Sequence, residues 1–528
     1  MALSRLHCCL LLASLLAGNA ASAATSRARG PPEEPGSDGI ILKMESDPLA
    51  MERSGFHVQS AAAADAAGAL GRPIGRHLRR IKLRAGEQLE QRLQHLRGMQ
   101  GVTYAVPDMR IFPHRVRTTD DAAAAAAPAR ATAHEQEVAE MLHGLPKRKT
   151  YEHQWGAGRI GLPAAWSIAT GSASKAGAVN LCVVDSGVDL KHPDLVANLV
   201  AGFSAVDGDD EDRPDDQVGH GTTVHGVIAA TGAGGGILGV NWGNINVMPC
   251  KFMSAAGWGQ TSDAIQCLDW CIGQKASIIS ASWSSGQLGN QPLEEAMART
   301  QAAGALLVVS AGNQGADMAH TPYFPQAYSA QFDNMLVVAA TDEYDEHAFF
   351  SNYDPNTVHL SAPGQWIYST IVGGGYNFSS GTSIAAPFVS GSAALLLAAA
   401  QDRLGKTLSA MELKAALMDS SEKVKALKGR TATGGRLRTD WALQELLGLE
   451  LSQPTPCQAK PGDKKKCRGA DKQSEGGSKE DSEQEKDNNK SEGAVQARSI
   501  DGAERRTDAD TGRRHSRRTA ALPPPVQA

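Results

Sequence analysis

Three short segments each set a residue type capable of catalysis beside glycine at the end of an apolar run. In Val183-Val184-Asp185-Ser186-Gly187-Val188 an acid closes an apolar strand pattern and a turn follows. In open α/β sheets that strand edge is where ligands bind. In Gly219-His220-Gly221-Thr222-Thr223-Val224-His225-Gly226, glycines bring backbone close to an imidazole, while Val224, Val227 and Ile228 supply a buried helix face. A histidine entering a helix between two glycines is not a typical core residue. The third segment, Ser379-Ser380-Gly381-Thr382-Ser383-Ile384-Ala385-Ala386-Pro387, leads into a long small-residue apolar helix reaching about Ala400. A helix starting at Ser383 keeps Pro387 in the first turn or just beyond it, where a missing N–H costs little. Such a helix sets the Ser383 hydroxyl and its own N–H at the positive end, suited to nucleophilic attack and to stabilising an oxyanion. Singly, each segment is weak, since an Asp-Ser-Gly turn is structural more often than catalytic.

These residues need rigid strands behind them. Leu181–Val184, Ile245–Phe252, Ala276–Ser282, Leu306–Ser310 and Met335–Ala340 are continuous rather than alternating apolar runs. Strands buried on both faces read this way, and the helical patterns between them predict an α/β fold: a mainly parallel sheet with helices on both faces. This globular composition runs over residues 151–451, about 300 residues and enough for one large core.

The flanks differ. Residues 1–23 carry a weakly basic start, an apolar run from Cys8 to Ala17 and the triplet Ala21-Ser22-Ala23, the layout of a signal peptide and hence of a secretory route. Its removal leaves six cysteines, Cys182, Cys250, Cys267, Cys271, Cys457 and Cys467, in an oxidising compartment. A small α+β unit is expected within 50–113. Leu89, Leu93 and Leu96 give one face of a helix ending at Gly98, and Val102, Tyr104 and Val106 alternate as a strand. Residues 114–150 read as a linker, with the alanine run 122–127, a short amphipathic pattern at Val138, Met141 and Leu142, and the basic cluster Lys147-Arg148-Lys149. Residues 452–528 contain no Phe, Trp or Tyr and form a polar tail, basic toward its end. Over the whole chain, 52 Lys and Arg stand against 57 Asp and Glu, a net charge of −5 that rules out uniform nucleic-acid-binding basicity. Beyond the N-terminus no uncharged apolar stretch of membrane-spanning length is expected, and so no span after signal removal.

Taken in order, Asp185, His220 and Ser383, with Asn313 in Ser310-Ala311-Gly312-Asn313 between the last two, make the chain resemble the subtilisin-like serine proteases (subtilases) from Tyr151 to about Leu447. The resemblance implies hydrolysis of protein or peptide substrates without a catalytic cofactor. Ser383 would be the nucleophile, His220 the general base, and Asp185 the group orienting the imidazole. Asn313 would donate to the oxyanion with the Ser383 N–H; in this family, loss of such a donor costs about 3–4 kcal/mol of barrier. Ser282, Trp283 and Ser284 resemble one substrate-binding edge, and Gly257-Trp258-Gly259 the opposing strand. Ser284 stands where the family often has glycine, which would narrow or polarise the pocket. Within the 50–113 unit, Arg72 to Pro113, especially Gly101-Val102-Thr103-Tyr104-Ala105-Val106-Pro107-Asp108, resembles the subtilase propeptide, implying a zymogen whose own propeptide chaperones and inhibits it, with self-cleavage between Phe112 and Tyr151.

Three features are less determined. The acidic loop Asp207–Asp216 suits a hard cation such as calcium, commonly bound by subtilases, yet matches no EF-hand spacing, and no metal ligand is assigned. Pro249-Cys250-Lys251-Phe252 and Cys267-Leu268-Asp269-Trp270-Cys271 resemble a pattern in secreted protozoan subtilases; six cysteines permit fifteen pairings, of which the resemblance favours Cys250–Cys267. Cys182, on the core strand beside Asp185, is expected as a buried thiol. His225 is a decoy for the base. Two rivals remain: a catalytically silent subtilase-fold surface or binding protein, and a protease tethered through its basic tail. Oligomeric state is left open. Ile384 occupies the position after the nucleophile where the family frequently has methionine. Peroxide is therefore expected to inactivate this protein more slowly than methionine-bearing relatives; residual activity after timed treatment checks this, and equally fast loss would contradict it.

Overall fold

A computed structural model of the chain describes residues 37–44, 72–74, 77–83, 85–99, 102–113, 153–170, 177–243 and 245–450. The signal segment 1–23, the linker 114–150 with its basic cluster and amphipathic pattern, the tail 452–528, and Cys457 and Cys467 lie outside them.

In the N-terminal part, β1 (Ser37–Met44), β2 (Arg72–Pro73), β3 (Leu78–Lys82) and β4 (Val102–Pro113) pair antiparallel in the order β4-β1-β3-β2, with α1 (Leu89–Arg97) packed on β1 and β4. The i, i+4, i+7 leucines behave as the spacing predicts: Leu93 and Leu96 are buried among Ile40, Leu42, Ile81 and Ala105, and Gly98 ends the helix. β1 lies before the expected limit at residue 50. Its Ile40-Ile41-Leu42 run is too short to register as a strand, yet all three side chains are wholly buried. Ile40 and Leu42 face α1, while Ile41 joins a core cluster shared with the larger part of the chain.

That larger part contains β5 (Val179–Asp185), β6 (Phe203–Ser204), β7 (Ile245–Lys251), β8 (Gly259–Gln260), β9 (Ile278–Ala281), β10 (Trp283–Ser284), β11 (Leu306–Ser310), β12 (Met335–Thr341), β13 (Leu360–Pro363), the hairpin β14 (Ile367–Ile371) and β15 (Gly375–Ser379), β16 (Glu422–Lys423) and β17 (Gly435–Arg436). Its main sheet runs β16-β17-β13-β12-β11-β9-β5-β7-β6 and is parallel except at β16–β17. The helices are α2 (Trp155–Arg159), α3 (Leu162–Ile168), α4 (His220–Ala229), α5 (Thr261–Gly273), α6 (Gln291–Ala302), α7 (Thr382–Ala399), α8 (Ala410–Asp419) and α9 (Thr439–Leu447). Both faces are covered, which is why the strands read as unbroken apolar runs. Leu181 and Val183 pack with Val224, Ile228 and Leu395 of α4 and α7; Cys182 and Val184 point the other way, toward Leu268 and Met297 of α5 and α6. The α/β expectation therefore holds.

Two expectations are corrected. The helical segment Thr382–Leu404 contains an 18-residue apolar stretch long enough to cross a membrane, but that stretch is buried inside the protein; the serines and the glycine within α7 disguised the run. Cys182 is not a free thiol but is bonded to Cys271, while Cys250 bonds to Cys267. Cys267 and Cys271 are one turn apart on α5, so they share a face and reach two adjacent strands, β7 and β5. These crosslinks span 17 and 89 residues, for which loop-closure entropy predicts roughly 3 and 4–5 kcal/mol.

His359, just before β13, is buried, and its Nδ1 accepts the Val337 N–H at 2.9 Å. Burial, with Lys414 nearby, pushes its pKa down to about 3. The folded protein keeps this ring neutral down to about pH 3, whereas an unfolded chain protonates it near 6.5. Acid below about 6.5 therefore favours unfolding by about 1.4 kcal/mol per pH unit from this group, levelling off near 3. In a Ser383→Ala background, His359→Asn is expected to flatten the fall of urea-unfolding stability between pH 6 and 4; an unchanged slope would contradict this.

Candidate active site

β5 delivers Asp185 at the carboxyl edge of the sheet, and α4 begins at His220. His220 Nδ1 lies 2.7 Å from Asp185 Oδ1, which also accepts the Ser186 N–H at 2.7 Å. With Nδ1 committed to the carboxylate, Nε2 is the nitrogen left to exchange a proton. The approach is close enough to demand glycine: a Cβ on Gly221 would collide with the Gly187 carbonyl oxygen. Asp216, buried three residues before the α4 cap Gly219, holds the two segments together. Its Oδ1 accepts from Ser186 Oγ (2.9 Å) and from the N–H groups of Val218 (2.9 Å) and Gly219 (2.8 Å), and its Oδ2 from Thr222 N–H (2.9 Å) and Oγ1 (2.7 Å). Ser186 Oγ in turn accepts the Gly221 N–H at 2.8 Å.

The helix bearing Ser383 packs directly against α4. α7 starts one residue earlier than expected, at Thr382, so Pro387 is its sixth residue and lies inside the helix. A proline there withholds the N–H that the Ser383 carbonyl would otherwise accept. Ser282 Oγ donates to that carbonyl instead, at 3.1 Å. The nucleophile candidate is thus tied to the edge expected to bind substrate. Asn313 Oδ1 accepts the Thr382 N–H and Oγ1, each at 2.9 Å, and Thr382 Oγ1 accepts the Gly312 N–H at 3.0 Å. With its oxygen fixed, the amide presents Nδ2 as a donor on the other side. The Ser383 N–H belongs to the first helical turn, where helix geometry offers no carbonyl.

The two expected substrate edges are both paired with β4. Phe112 and Pro113 lie opposite Ser284 and Trp283 of β10, and Arg110 and Ile111 opposite Gln260 and Gly259 of β8, antiparallel in each case. The ladder starts later than predicted: Gly257 has φ +81° in the turn before β8, its N–H donating to the Ser254 carbonyl at 2.9 Å. Side chains alternate along β4, Ile111 being wholly buried with Phe252 and Trp283 while Phe112 is 45% exposed. The Ser284 hydroxyl, expected to narrow or polarise the pocket, donates to the Phe324 carbonyl (3.0 Å) and accepts the Gly286 N–H (3.1 Å). With β4 in place, Asp185, His220 and Ser383 are at most 1% exposed.

Ion pairs reinforce this contact. Buried Arg80 meets Asp108 (2.9 Å) and Asp263 (3.1 Å), Lys82 meets Asp207, and Lys43 meets Glu295 (2.9 Å). Asp108 also accepts the Ser262 N–H and Oγ at the start of α5, where a carboxylate satisfies first-turn donors.

The loop 207–216 is not assembled around a cation. Asp207 faces Arg80 and Lys82, Asp209 pairs with Lys251, Asp215 with Arg213, and Asp216 is filled by the donors above. Among the described residues no group of three or more metal-ligating side chains converges. Lys251, also bonded to Gln217 Oε1 at 2.6 Å, anchors the loop from β7. His225 is a structural residue: Nδ1 bonds the Gly221 carbonyl at 2.7 Å, and burial holds the ring below its usual pKa. Asp216, Thr382 and Lys251 are the participants that sequence reasoning left unassigned. Asp216 lay hidden in a run of carboxylates, although its place before Gly219-His220 marked it.

Comparison with known proteins is consistent with this geometry. The family model described as the Subtilase family matches residues 176–441. Thermitase of Thermoactinomyces vulgaris is 35% identical over 272 residues, covering 51% of this chain and 89% of thermitase. Subtilisin-like protease 2 of Plasmodium falciparum is 33% identical over 321 residues, 58% of this chain but 23% of that protein, so the chain spans about a quarter of that relative's length. Subtilisin-like protease 1 of Plasmodium berghei is 31% identical over 322 residues, 53% of this chain and 52% of the relative.

Replacing Asp216 with alanine leaves donors from four residues without their acceptor, those of Ser186 and Thr222 being buried. In a Ser383→Ala background this is expected to cost about 3 kcal/mol or more in urea unfolding, and a loss below about 1 kcal/mol would contradict the role assigned to it.

Proposed function

This chain belongs to the subtilase family of serine proteases, and from that premise we propose that it is a secreted endopeptidase made as a zymogen, using Asp185, His220 and Ser383, with Asn313 at the oxyanion. The carrying observation is β4, an extended peptide hydrogen-bonded on both edges, its partner β10 following directly on Ser282, which donates to the Ser383 carbonyl. A peptide substrate adopts the same arrangement, main chain between β8 and β10 with alternate side chains in pockets.

In the mechanism, Ser383 Oγ attacks the scissile carbonyl while His220 Nε2 takes its proton. Asp185 keeps the Nδ1 proton in place and stabilises the imidazolium. Negative charge developing on the carbonyl oxygen is met by Asn313 Nδ2 and the Ser383 N–H. His220 then protonates the leaving amine, and water, deprotonated by the same imidazole, releases the acyl group from Ser383. No metal or cofactor enters a step.

The unit from Ser37 to Pro113 acts as the inhibitory propeptide, extending earlier than residue 50 because β1 is part of its sheet. β4 pairs with β10 as far as Pro113, opposite Trp283, the neighbour of the Ser282 that is bonded to the Ser383 carbonyl, so the first self-cleavage falls within the few residues after Pro113. The two disulfides fit an oxidising secretory route after removal of a 1–23 signal, with a 114–150 linker, a 151–451 peptidase domain and a polar tail from 452.

A fluorophosphonate is expected to label the processed wild-type protein at Ser383 and to leave Ser383→Ala unlabelled; a folded, processed wild type that takes no label would overturn the reading. N-terminal sequencing is expected to place the wild-type start shortly after Pro113 and to find that start missing from Ser383→Ala. An identical processed start in both would refute self-cleavage.

A further inference from the structure

The register of β4 also sets the residue before Ile111. Arg110 lies opposite Gln260, and its guanidinium carbon sits 4.3 Å from the centre of the Trp258 ring. That distance and the flat faces of both groups suit a cation–π contact, which a guanidinium makes by stacking. Trp258 belongs to the peptidase part of the chain. Its carbonyl accepts from the Ser254 N–H (3.0 Å) and Oγ (3.2 Å), and the turn is closed by the Gly257 N–H on the Ser254 carbonyl (2.9 Å). The ring therefore stands on a backbone fixed by its own loop, one residue before the ladder at Gly259, and stays with the enzyme when the N-terminal unit departs. Other cations of that unit meet acids: Lys43 meets Glu295, Arg80 meets Asp263, and Lys82 meets Asp207. Those contacts belong to inter-unit docking, whereas Trp258 lies along the line of the cleft itself.

We propose that Trp258 is a specificity-determining platform for a cationic side chain, arginine above all, immediately N-terminal to the aliphatic residue that fills the Ile111 pocket. The favoured substrates are then peptides reading basic, then branched aliphatic, upstream of the cut, as Arg110-Ile111-Phe112-Pro113 does in this chain. The inference rests on the peptidase reading above and deepens it. A contact of this kind at a partly exposed site is worth about a two- to fivefold preference.

The test uses the processed enzyme and internally quenched peptides spanning residues 108–117 of its own sequence, with arginine, lysine or alanine at the place of Arg110. Wild type is expected to favour arginine over alanine about two- to fivefold in kcat/KM, with lysine between them. In Trp258→Ala that ratio is expected to fall to near one, while Trp258→Phe keeps part of it. A ratio unchanged by Trp258→Ala, with hydrolysis intact, would overturn the platform. Failure of wild type to cleave any of the peptides would overturn the peptidase reading, and the platform with it.

Discussion

Two short edges, Gly259–Gln260 and Trp283–Ser284, carry main-chain groups that must be paired or solvated, and β4 pairs both at once. From that ladder follows most of what is particular to this chain. Strand pairing has a period of two, so one register fixes every side chain: Ile111 goes into the core cluster, Phe112 toward solvent, and Arg110 onto Trp258. The ladder also brings β3 against the acidic residues beside α5, where Arg80 is buried with Asp108 and Asp263. A buried cation of this kind is tolerable only because carboxylates meet it, so removal of either side leaves an uncompensated charge.

The site beneath the ladder is held by backbone and hydroxyl bonds rather than by the reacting groups alone. Proline at position 387 deprives the Ser383 carbonyl of its helical donor, and Ser282, between β9 and β10, provides one. Thr382, adjacent to Ser383, orients the Asn313 amide. Asp216 joins the turn after Asp185 to the first turn of the His220 helix through Ser186. Asp185 and His220 are thereby registered to each other, and the Ser383 backbone to Ser282 and, through Thr382, to Asn313, the kind of ordering that proximity-based catalysis requires.

Much of this was legible in the sequence. Continuous apolar runs gave the central parallel strands because both sheet faces are covered, and the leucine spacing gave α1 with its end at Gly98. Asp185 and His220 meet as their motifs imply. Elsewhere the one-dimensional pattern was silent for physical reasons. Three apolar residues in β1 make no recognisable period, although tertiary packing buries all of them. Charge density in 207–216 suggested a cation because composition does not tell an inward-pointing carboxylate from one facing Lys251 or Arg80. The Cys182–Cys271 bond depends on which face of β5 meets α5, a fact of packing rather than spacing.

The central claim is that β4 occupies the cleft through main-chain pairing, and amide hydrogen exchange of the full-length Ser383→Ala chain tests it most directly. Residues 259–260 and 283–284, the positions paired with β4, are expected to exchange slowly in this chain and to lose protection in an added Ile111→Pro variant, which removes both an N–H and the side chain that fills the pocket. Fast exchange at both places in the unmodified Ser383→Ala chain, at the rate of the exposed residues 210–212, would contradict it.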